Sequence, residues 1–214
     1  GFEPSSLQAL ISKRAPRELD ERKLPPLTLT ALEKQGWASL PVWVSTGPLQ
    51  AGSPASLRQS LLLRDALGEL AHVLFDRPSP IPIMTTWTPS ITPGLLEAAA
   101  RWGGSTGPLV FVFGPPGPLS HSQQTVATSA NWTRGQVVEV PQGDSSRSAF
   151  LRMSYRCAIL LGGGDEVGLD ASALRARAAR GPKAFAIAST GGEAEASYLA
   201  SRDSFGGSNP ELVL

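Results

Sequence analysis

The sequence predicts an α/β fold: a doubly wound, mostly parallel, Rossmann-like sheet of about six strands with helices on both faces. Three observations predict it. Short apolar runs recur along the chain, they alternate with segments of helical period, and the turns between them are short and rich in glycine and proline. Right-handed crossovers would then place helices on both sides of the sheet.

The elements follow in order. Residues 1–38 differ from the rest: Glu18 to Lys23 is highly charged, Pro25-Pro26 breaks the chain, and Leu27 to Gln35 fits a short helix. This segment reads as a linker or as an arm packed on the domain, and its recurring apolar residues favour the arm. Pro41 to Val44 is the first strand of the repeating pattern, with Ser45-Thr46-Gly47-Pro48 as the turn after it. Ser56 is a candidate N-cap for a helix from Leu57 to Leu74, on which Leu57, Leu61, Leu67, Leu70 and Leu74 form a stripe with Leu63 and Ala71 beside it. Ile81 to Met84 is the next strand, Thr85 to Pro93 its turn, and Pro93 to Trp102 a helix stopped by Gly103-Gly104. Leu109 to Phe113 is a strand ending in Gly114-Pro115-Pro116-Gly117; Gln123 to Ala130 fits a helix and Gln136 to Val140 a strand.

The C-terminal third carries the strongest functional signal. A short helical segment around Leu151 to Tyr155 leads into the strand Ala158 to Leu161, which opens into Gly162-Gly163-Gly164-Asp165-Glu166. A helix of roughly Ala171 to Arg180 follows, Gly181-Pro182 stops it, and the strand Lys183 to Ala188 ends in Ser189-Thr190-Gly191-Gly192. The body is expected over residues 39–200, and 201–214 as an irregular tail. In an open parallel sheet both glycine turns fall on the carboxyl edge, where ligands bind. Bare N–H groups at helix starts there favour phosphate or another anion.

Composition narrows the function classes. With 214 residues and 41% hydrophobic content, the chain is long enough for one α/β domain with a core. A net charge of +1 leaves no global signal for nucleic acid. No run approaches the roughly 18 apolar residues of a membrane span, and the first residues lack the apolar stretch of a signal peptide. No membrane partner is therefore expected, and the sequon Asn131-Trp132-Thr133 is expected to carry no glycan. Cys157 is the only cysteine, reads as a structural thiol, and fits a reducing, cytoplasmic compartment.

Laid out in order, the turns resemble the SLOG superfamily, Rossmann-like nucleotide-binding domains related to the LOG phosphoribohydrolases, the DprA proteins and the N-terminal domains of TRPM channels. The likeness is to the prokaryotic branch found in defence and signalling, and covers roughly Leu40 to Leu199. Val44-Ser45-Thr46-Gly47 is similar to the family's first strand and its Ser-Gly-Ser type of turn. Thr86 to Leu95, TWTPSITPGL, is similar without gaps to a family segment GGHPxIxPLV, with Thr86 and Trp87 in place of two glycines and Thr88 in place of histidine. Arg147 to Gly164 resembles an arginine- and methionine-bearing helix followed by a strand and double glycine, and Ser189 to Ala194, STGGEA, resembles a closing TGGAA turn.

The resemblance implies a site for a nucleotide or a nucleotide-derived signal such as an ADP-ribose derivative. Its residues would be Ser45, Thr46, Gly47, Thr86, Trp87, Thr88, Arg147, Arg152, Gly162, Gly163, Gly164, Asp165, Glu166, Thr190, Gly191 and Gly192. Arg147 and Arg152 are phosphate candidates through bidentate guanidinium pairing. Asp165 and Glu166 either cap the following helix or hold ribose hydroxyls; they would repel a nearby phosphate. Trp87 offers a stacking face for a base. Each glycine turn also reads simply as a tight strand-to-helix connection.

Departures from the family bear on chemistry. LOG enzymes carry PGGxGTxxE, and here the aligned run from Gly162 lacks the proline, the later glycine and the threonine, with Asp170 at the glutamate position. That speaks against LOG-type hydrolysis, and leaves Asp170, Glu166 and Asp165 as carboxylates for an N-glycosidase alternative. No P-loop occurs, no GxGxxG follows the first strand, and His72 and His121 have no metal-spaced partners, so no cofactor or metal is expected. The expected function is a regulatory sensing module acting on an effector domain, a protein partner or a homo-oligomer; a ligand-free interaction domain is a third reading.

Overall fold

A computed structural model describes residues 27–47, 54–89, 91–102, 107–114, 131–141, 152–177 and 183–204. The chain opens with β1 (Leu27–Thr28) and α1 (Leu29–Glu33), then β2 (Val42–Gly47) and the long α2 (Pro54–Phe75). β3 (Ile83–Thr86), α3 (Thr92–Arg101) and β4 (Val110–Gly114) follow, and a 3-10 turn at Trp132–Arg134 leads into β5 (Gly135–Glu139). The last units are β6 (Cys157–Gly162), α4 (Asp165–Arg177), β7 (Lys183–Ile187), a 3-10 turn at Ala188–Thr190, and α5 (Gly192–Ser204).

All seven strands are parallel and lie in the order β1-β5-β4-β3-β2-β6-β7. The sheet is therefore the expected Rossmann-like arrangement, with one strand more than the sequence pattern suggests. The extra strand is β1, two residues long and too short to register as a period. From β2 the chain winds outward through β3, β4 and β5, then returns to lay β6 on the other side of β2. The switch point of the sheet is therefore the crevice between β2 and β6 at their carboxyl ends.

Strand alternation divides the core in two. On one face Val42, Val44, Ile83, Val112 and Leu161 pack with Leu63 and Leu67 of α2 and Leu95 and Leu96 of α3. On the other, Trp43, Met84, Phe111, Phe113 and Leu160 pack with Leu29 and Leu32 of α1, Val167, Ala171 and Leu174 of α4, and Ala194 of α5. Because both faces are covered, the central strands read as continuous apolar runs rather than alternating ones.

Residues 27–33 join the sheet: Leu27 and Thr28 pair with Val138 and Glu139, and Thr28 Oγ1 caps α1 by accepting the Ala31 N–H at 3.2 Å. The cap supplies an acceptor for a first-turn N–H that the short helix leaves unsatisfied, and Leu29 and Leu32 are essentially inaccessible.

Several boundaries move. α2 starts at Pro54, so Ser56 lies inside its first turn rather than capping it. Leu61, placed on the buried stripe by the sequence, is 51% exposed, and the buried side runs through Leu63, Leu67, Ala71 and Leu74 instead. β2 extends through Gly47, so Ser45, Thr46 and Gly47 are strand residues paired with Leu160, Leu161 and Gly162 rather than a turn. α4 begins at Asp165, six residues ahead of the expected start at Ala171, since Gly168 is accommodated inside it. The helix expected at Gln123 to Ala130 and most of the tail lie outside the described residues, as does part of the segment at Leu151 to Tyr155.

Cys157 is half-buried at the start of β6, and burial pushes its thiol up against the opposing influence of Arg156. That keeps the thiol protonated and packed. Among the described residues no helix is long and apolar enough to cross a membrane.

The α1 contacts are testable. Leu32→Ala should lower unfolding free energy by about 2–5 kcal/mol, the range for a truncated core leucine. Leu61→Ala should stay within about 0.5 kcal/mol, as exposed substitutions do. Urea denaturation measures both, and a neutral Leu32→Ala would refute the packing of α1 on the sheet.

Candidate functional site

The carboxyl ends of β2 and β6 lie side by side in van der Waals contact with the glycine turn that follows β6. Gly47 is the register partner of Gly162, and a side chain on Gly47 would sit 3.5 Å from the Gly163 Cα and the Gly164 N. Gly162 and Gly163 turn the chain with φ of 52° and 80°, and a Cβ on Gly163 would collide with the Val167 side chain. Gly191 and Gly192 turn it again after β7, with φ of 72° and 61°. A Cβ on Gly192 would collide with the Gly163 carbonyl oxygen. These left-handed conformations are open to glycine and strained for other residues.

Backbone and hydroxyl bonds lock the two turns together. Thr190 Oγ1 accepts the Gly162 N–H at 2.7 Å and donates to the Ile187 carbonyl at 2.6 Å. The Glu193 N–H donates to the Gly163 carbonyl at 3.2 Å. Gly164 acts as the start of α4, its carbonyl accepting from Val167 and Gly168 N–H. Unlike Gly163 and Gly192, Gly164 has open space for a Cβ: nothing lies within 4 Å of one there.

The carboxylate candidates separate. Asp170, 8% exposed on the inner side of α4, accepts the Ser45 hydroxyl proton at 2.7 Å, and Ser45 is itself 2% exposed. The pair clamps α4 to β2 beneath the glycine turns. Asp165 and Glu166 are exposed in the first turn of α4, where they complement the positive helix end. Glu193 and Glu195 do the same on α5. Four carboxylates thus surround the two turns, a setting that favours hydroxyl donors over a phosphate.

The other half of the site is the end of β3. The Thr88 hydroxyl donates to the Thr46 carbonyl at 3.4 Å, and the Thr88 N–H donates to Thr92 Oγ1 at 2.8 Å, so two threonines order the entry to α3. Thr86 is the last residue of β3, half-buried, and its carbonyl accepts from Thr92 Oγ1. The Trp87 ring stacks on Trp132 with centroids 6.0 Å apart and planes at 18°. It is engaged in the core on the α2 and α3 side. Thr46 Oγ1 and Trp87 Nε1 are buried and have no hydrogen-bond partner among the described residues. A buried polar atom left so costs about 1–3 kcal/mol, so both are points where a further donor or acceptor would be stabilising.

Described residues from each of the four stretches thus meet at the β2 end. Ser45, Thr46, Gly47, Thr88, Gly162, Gly163, Gly164, Thr190 and Gly192 are joined there by the contacts above, and Gly191 by adjacency. Arg152 is engaged with α1, where its Nε donates to Glu33 Oε1 at 3.0 Å. Arg147 lies outside the described residues. Val167, Gly168 and Thr92 are site residues that sequence reasoning missed. The spacing of Val167, Ala171 and Leu174 (i, i+4, i+7) is the helical signal for the first, visible once the helix is started at Asp165. Among the described residues no cluster of His, Cys, Asp or Glu has the makings of a metal site.

Gly192→Ala should cost about 2–4 kcal/mol, combining a left-handed backbone with a clash. Gly164→Ala should stay within about 1 kcal/mol, the backbone preference alone. Ser45→Ala should cost about 1–3 kcal/mol by leaving a buried carboxylate short of a donor. Chemical denaturation ranks the three, and equal costs at Gly164 and Gly192 would contradict the packing described.

No family model matches the chain, and no curated protein or solved structure matches it either.

Proposed function

We propose that the chain is a binding module for a nucleotide or nucleotide-derived signal of the ADP-ribose kind, as its resemblance to the SLOG superfamily implies. The observation that carries this reading is the switch point between β2 and β6, with two glycine turns side by side at its carboxyl edge. The ribose end would lie over the open side of Gly164, where Asp165 and Glu166 accept hydrogen bonds from sugar hydroxyls. The phosphates would point away from the four carboxylates. Binding would regulate an attached effector or a protein partner. N-glycosidic hydrolysis is the weaker alternative, because Asp170 is held by Ser45 rather than presented to the crevice.

One observation favours a second reading, an interaction domain without a ligand. The glycines are accounted for by packing: Val167 fills the space above Gly163, and Thr190 already occupies the Gly162 N–H.

A thermal-shift screen against nucleotides, ADP-ribose, its cyclic isomers and cyclic dinucleotides, with each hit checked for turnover, separates the readings. A ligand at a hundred times its Kd adds about 2.7 kcal/mol to the folded state. A shift with the compound intact, lost in Asp165→Asn/Glu166→Gln, supports the sensor. Release of free base supports the hydrolase. No shift across the panel refutes the sensor and leaves the interaction domain.

A further inference from the structure

We draw no further inference here: the strongest candidate, the Thr46 hydroxyl, buried without a hydrogen-bond partner among the described residues at the carboxyl end of β2 on the side of α2 and α3, belongs to the candidate ligand site already described, and nothing among the described residues shows what covers it.

Discussion

The arrangement rests on one close approach, that of the turn after β7 to the turn after β6 at Gly192 and Gly163. A side chain on Gly192 would collide with the Gly163 carbonyl and one on Gly163 with the Val167 side chain, and both glycines hold a positive φ. This contact lets the turn after β7 reach across to the turn after β6. The Thr190 bond to the Gly162 N–H and the Glu193 bond to the Gly163 carbonyl exist only because no side chains intervene. With larger residues at Gly163 and Gly192 the two turns would separate, and the crevice at the switch point would lose its floor.

Beneath that floor two polar contacts tie elements together. Ser45 on β2 holds Asp170 on α4, and Thr88 reaches the Thr46 carbonyl. A buried carboxylate with a hydroxyl donor is tolerated; without one it would penalise the fold. Asp170 is therefore best understood as a positioning group for α4, which in turn sets where Gly164, Asp165 and Glu166 stand. The negative rim formed with Glu193 and Glu195 then biases what can approach, toward sugar hydroxyls and away from a closely placed phosphate.

Much of this was legible in the chain. The six longer strands were visible because each is an apolar run bounded by glycine or proline, and both glycine turns were visible because no other residue repeats so at strand ends. Strand ends and helix starts were not. Ser45, Thr46 and Gly47 look like a turn by composition, yet they pair with Leu160, Leu161 and Gly162, and polar residues can end a strand when a partner strand supplies their ladder bonds. Asp165 to Asp170 looks unlike a helix interior because of Gly168 and its acids; packing of Val167 under the glycines overrides that weak preference. Leu61 looked like a core position because helical period alone does not say which of two adjacent stripes faces the sheet.

The sequence by itself determined the fold class, the order of the six longer strands along the chain and the location of the two glycine turns, because these follow from local period and from the conformations open to glycine. The tertiary structure alone decided which turns meet and what each polar group does when they do. Asp170 sits with Ser45, 125 residues earlier in the chain, and Thr190 with Gly162, 28 residues earlier. Such pairings depend on which strands become neighbours, a property of the whole sheet that no local pattern encodes.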